Sequence, residues 1–88
     1  MSLYGVIYRL PPGKRVQYES ADGTTVAFEP FMRVPGRLDV IVRTQSTDTT
    51  GKHHEASHEY EGIDREWCER QDEALRGLGI DSNVYTII

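Results

Sequence analysis

The run His54-Glu55-Ala56-Ser57-His58 is the densest group of chemistry-bearing side chains in the sequence. On a helix, residues four apart project from one face, so the two imidazoles would converge on a single metal ion. Glu55 would then stand as general base toward a metal-bound water, which is the chemistry of a zinc-dependent hydrolase. On a strand the same residues disperse. At roughly 3.3 Å per residue, His54 and His58 would lie about 13 Å apart, too far to chelate one ion. The conformation of residues 54–60 therefore decides whether this chemistry is available.

These five residues resemble the zincin motif, and the resemblance implies zinc held by His54 and His58 with Glu55 as base. Some zincins take a third ligand from an aspartate six residues beyond the second histidine, and Asp64 stands at that spacing. The glycine of that pattern, three residues past the second histidine, is replaced by Glu61, and Gly62 follows one place late. The flanking positions that zincins keep uncharged are Lys52 and Glu59. Read as a strand instead, residues 53–60 put His54, Ala56, His58 and Tyr60 on one side and His53, Glu55, Ser57 and Glu59 on the other. A hairpin with Val40 opposite Tyr60 then sets Val42 against His58 and Thr44 against Ala56. Every semi-apolar residue meets an aliphatic strand, and no helix has to be broken at Gly62. The strand is the expected conformation. With it, no metal site and no cofactor are expected.

Other reactive groups point the same way. Cys68 falls within a helical pattern beside Trp67, where a buried structural thiol is the expectation. Ser57 and Ser82 lack a nucleophile elbow or a nearby base. Gly36, Gly77 and Gly79 belong to no phosphate-cradling pattern, and Arg33 and Arg37 around Gly36 read as solvated surface rather than an anion clamp. No catalytic residue is expected.

The elements that carry these residues follow from periodicity. Leu3 to Leu10 alternates with apolar residues on both faces and predicts an inner strand, ended by Pro11-Pro12-Gly13. Val16 to Phe28 predicts a hairpin whose turn, Ser20-Ala21-Asp22-Gly23-Thr24, closes with a glycine bulge; this register faces Tyr18 with Val26 and Val16 with Phe28. Pro30 to Gly36 carries two prolines and predicts an irregular or edge segment, with Phe31, Met32 and Val34 lining the core as the expectation and a displayed binding patch as the alternative. Leu38 to Thr44 is a further strand, followed by a polar loop through Gly51. Asp64 to Leu78 predicts the one long helix, with Asp64 as N-cap, Ile63, Trp67, Ala74 and Leu78 as its apolar stripe flanked by Leu75 and Cys68, and Gly77 or Gly79 as its stop. Asn83 to Ile88 predicts a last strand, parallel to a neighbour after the helical crossover. The expected fold is α+β, a mainly antiparallel sheet of five or six strands with one amphipathic helix on a face, in the order βββββαβ.

Composition bounds what such a chain can be. Its 88 residues allow one small domain, 1–88, with 38% hydrophobic and 27% charged residues. A single cysteine argues for a reducing, cytoplasmic setting, and neither a signal peptide nor a membrane span is legible. Charge is unevenly spread. Residues 1–47 carry six basic and four acidic groups, whereas residues 48–73 carry nine acidic and three basic ones. Such an acidic segment opposes phosphate contact, so neither nucleic acid nor a membrane is an expected partner.

Together these features predict a non-enzymatic protein-binding module, an acidic inhibitor or regulator comparable in size and charge to antitoxin, immunity or phage-type inhibitor proteins. Glu59, Glu61, Glu66, Glu69, Asp72 and Glu73 are the expected contact residues toward a basic partner surface. The zinc hydrolase of the His54 to His58 run is the alternative. A structural subunit that pairs with a second copy through an open sheet edge near residues 30–37 is a third reading.

Overall fold

The computed structural model describes residues 2–88. Its first element is a helix, α1 (Leu3–Ile7), rather than the expected strand. Leu3, Val6, Ile7 and Leu10 recur at helical spacing, and the first three are buried. The Ser2 side chain accepts from the Gly5 N–H and caps the turn. An alternating reading of the same run wins only if the chain finds a strand partner. Among the described residues the sheet offers it none.

Five strands form an antiparallel sheet: β1 (Val16–Glu19), β2 (Thr25–Phe31), β3 (Asp39–Thr47), β4 (His53–Tyr60) and β5 (Thr86–Ile87). A helix, α2 (Arg65–Gly77), precedes β5. The sheet order is β4-β3-β2-β1-β5. The α+β class with an antiparallel sheet is as expected. β5 differs, for it is two residues long and pairs antiparallel to β1 through Val16–Ile87 and Gln17–Thr86.

Both hairpins adopt the registers that alternation demands. Val16 faces Phe28 and Tyr18 faces Val26 across β1 and β2. Gly23 closes that turn at φ +89°, a conformation glycine adopts without steric cost, while Asp22 bonds Ser20 Oγ and the Thr24 N–H. Across β3 and β4, Val40 faces Tyr60, Val42 faces His58 and Thr44 faces Ala56. β2 continues through Pro30 and Phe31. There β1 has already ended, so the missing proline N–H leaves no ladder bond unmade on that side.

Residues of one parity on the inner strands, Val16, Tyr18, Val26, Phe28 and Val40, point into a core completed by Leu3, Val6, Ile7, Ile63, Trp67, Cys68, Leu75 and Ile80. Trp67 meets Phe28 edge-on at 6.2 Å between ring centres and Tyr60 at 5.4 Å. The opposite sheet face is polar, with Arg43 2.9 Å from Glu29 and Arg15 3.9 Å from the same carboxylate. Asp39 is fully buried and holds two connections in place. It accepts two bonds from Arg37 (3.0 and 3.1 Å) and one from the Gly62 N–H (3.1 Å).

The buried stripe of α2 is rotated from its expected position. Trp67, Cys68, Asp72 and Leu75 are covered, whereas Ala74 and Leu78 are exposed. Asp64 caps the helix through the Trp67 N–H at 2.8 Å, as expected. The C-terminus closes with Ile80 N–H on Leu75 C=O and Gly79 N–H on Arg76 C=O, with Gly79 at φ +76°. Ile80 is buried against that last turn.

Candidate functional site

Residues 53–60 are a strand throughout. His54 and His58 share a face but stand four strand residues apart, about 13 Å at roughly 3.3 Å per residue, so the converging pair needed for zinc is not formed. His54 is engaged elsewhere, with its Nε2 2.9 Å from Asp48 Oδ2 at the hairpin tip. Asp48 Oδ1 accepts from the Thr50 and Lys52 N–H groups at 2.9 and 3.0 Å. The Thr50 hydroxyl first, then His54 and Lys52, hold the Asp48 carboxyl well below its usual range, at about 2. Among the described residues, no group of three His, Cys, Asp or Glu side chains is placed to hold a metal.

Cys68 is fully buried, as its helical setting predicts. Burial, with the nearby Asp72, Asp64 and Glu69 carboxylates, pushes its thiol up to about 11, so it stays protonated and inert near neutrality. The Tyr18 hydroxyl lies in the same region, buried and without a hydrogen-bond partner among the described residues. Burial, then Asp72, raises its ionisation well above the ordinary tyrosine value. Arg33 and Arg37 are committed to carboxylates rather than held open for an anion.

The six carboxylates expected on one docking face divide into three groups. Asp72 leaves the face altogether, because it is buried and both its oxygens accept from the Leu3 N–H at 3.2 and 3.3 Å. Glu59 pairs with Arg33 at 2.7 Å and Glu61 lies 3.8 Å from Arg37, which it shares with Asp39, so the charge of the corner between β4 and α2 is partly offset. Glu66, Glu69 and Glu73 lie exposed along the outward face of α2. Glu66 is bonded to Arg70 at 3.1 Å, while no ion pair involves Glu69 or Glu73 among the described residues. Arg65 is drawn off this face onto the Tyr4 ring, 4.4 Å from its centre. What remains is a short rigid ridge with two unneutralised carboxylates one turn apart, roughly 6 Å along the axis.

A second surface was not assigned from sequence. Tyr8, Leu10, Pro12, Phe31, Met32 and Leu38 line a groove of about 400 Å³ where the segment after α1 meets the end of β2. Met32 and Val34, expected in the core, are 67% and 44% exposed. Prolines flank these side chains, at 11–12 and at 30 and 35, but how the two segments meet is legible in neither.

No protein family, no curated protein and no solved structure matches this chain.

Proposed function

We propose that the protein is a non-enzymatic binding module, a small acidic inhibitor or regulator that docks the outward face of α2 on a basic protein surface. One observation carries this reading. Glu69 and Glu73 project from a helix whose opposite face is fixed in the core by Trp67, Cys68 and Leu75, and no cation of the chain neutralises them among the described residues. Fixed, exposed charges of one sign raise the encounter rate with a complementary surface and set its orientation. Glu66 extends the ridge, and its ion pair with Arg70 is exposed on both sides, so a basic partner can exchange for it. Glu59 and Glu61, tied to Arg33 and Arg37, sit at the rim and contribute by complementarity rather than by net charge.

The test compares the parent chain with the Glu69→Lys/Glu73→Lys variant, each immobilised and exposed to the same host lysate. The reading expects a protein retained by the parent, lost from the variant and released by moderate salt. Equal retention by both chains removes the reading.

A further inference from the structure

We propose that β4 is a dimerisation edge: two copies of the chain pair their β4 strands antiparallel about Ala56, which joins two five-stranded sheets into one. The inference starts from which edge is open. The order β4-β3-β2-β1-β5 leaves β4 and β5 outermost, and β5 is two residues long. β4 is eight residues long, exposed along its whole length, and among the described residues pairs with β3 alone. Near residues 30–37 the open edge is limited to Pro30 and Phe31, which pair with β3 beyond the end of β1, and proline removes one of its donors.

Natural sheets protect an exposed edge with proline, a bulge or charged side chains, lysine above all. β4 has no proline, bulge or lysine, and its two carboxylates, Glu55 and Glu59, oppose pairing only in registers that set them against each other. Its register with β3 runs unbroken from Thr47–His53 to Val40–Tyr60, and the nearest lysine, Lys52, lies in the turn. The phase of the ladder follows from the Asp48 N–H, which donates to Lys52 C=O at 2.9 Å. Stepping by two from that pair, His54, Ala56, His58 and Tyr60 turn their backbone groups toward β3. His53, Glu55, Ser57 and Glu59 turn theirs to the open side.

The side chains select a second copy as occupant and fix its register. A twofold axis perpendicular to the sheet keeps the faces matched, so only residues of like parity can meet. Centring on Glu55 sets that carboxylate against itself. Centring on Ser57 sets Glu55 against Glu59 of the second copy. Like charges directly opposite are destabilising. Centring on Ala56 avoids both. His53 then meets Glu59 of the second copy, Glu55 meets Ser57, and His54 meets His58, each twice. Glu59 gives Oε1 to Arg33, and His53 Nε2 lies 3.1 Å from Glu55 Oε1 of its own chain, which leaves Glu59 Oε2 and His53 Nδ1 to meet across the seam. The outward residues form the hydrogen-bonded pairs of this register, about eight backbone bonds in all.

Sedimentation velocity on the full chain, from about 5 to 500 μM, together with cysteine cross-linking, tests this. The parent is expected to shift from monomer to dimer across that range. Ser57→Pro, which removes an outward N–H, is expected to remain monomeric with an unchanged circular dichroism spectrum. Ala56→Cys lies on the axis and is expected to form an intermolecular disulfide at least about tenfold faster than Glu19→Cys on β1, because pairing raises its local concentration. A parent that stays monomeric at the highest concentration overturns the proposal. So does cross-linking that is no faster at Ala56→Cys than at Glu19→Cys.

Discussion

Asp72 and Leu3 are 69 positions apart in the chain, yet both carboxylate oxygens of Asp72 lie within 3.3 Å of the Leu3 backbone nitrogen. The contact ties the first turn of α1 to the middle of α2 and supplies an acceptor to an N–H that no α1 backbone carbonyl can reach. A charge that the sequence pattern assigned to recognition is therefore structural.

Asp72→Ala should lower stability by about 1–3 kcal/mol, because it leaves a buried donor unpaired. Glu73→Ala, one residue on and exposed, should change stability by no more than about 0.5 kcal/mol. Urea unfolding of the two variants checks the contrast. Equal effects would mean that Asp72 is not the anchor.

The rotation of α2 gives a second contrast. Trp67→Ala should cost about 3–5 kcal/mol, as for other large core truncations. Leu78→Ala should cost far less, since Leu78 is 58% exposed. Comparable losses for the two variants in thermal melts would mean that the buried stripe runs through Leu78.

These contrasts show where the sequence was readable. Both hairpin registers were, because a one-residue slip would carry Val16, Tyr18, Val40 and Val42 to the polar face and Gly23 fits only one turn. The 3–10 run was not. Tyr4, Val6, Tyr8 and Leu10 satisfy a period of two while Leu3, Val6, Ile7 and Leu10 satisfy the helical one, and only the missing strand partner decides between them. Asp72 misleads for another reason. It stands four residues from Cys68 and three from Leu75, on the stripe that is buried, so its charge points to solvent while its helical position points inward. Met32 and the apolar groove depend on how the two proline-bearing segments meet, which no local pattern encodes.

Cys68 should resist thiol reagents in the folded state. Its thiol is raised to about 11 by burial and neighbouring carboxylates, so folding favours the protonated form. The corresponding stability is fully present below the unfolded thiol value near 8.5 and is lost as pH rises toward 11. At pH 8, reaction with a disulfide reagent should be at least about tenfold slower than in urea. Equal rates would place the thiol at the surface.

Asp48 should titrate at about 2, lowered by the Thr50 hydroxyl first and then by His54 and Lys52. For a depressed carboxylate the stabilising contribution exists above the unfolded value near 3.9 and fades as pH falls toward 2. Carboxyl carbon shifts followed by NMR from pH 6 downward give the midpoint. A midpoint near 3.9 would mean that the hairpin tip is not closed by this residue.

The claim that the outward face of α2 recognises a basic protein is tested most directly by association kinetics with the captured partner. Rates should be compared for the parent and for Glu69→Lys/Glu73→Lys, between about 20 and 500 mM salt, where screening of exposed charges changes most. The account predicts that the parent's association rate falls at least about tenfold across that range and that the variant starts slow and responds little. A parent rate indifferent to salt and equal to that of the variant would contradict it.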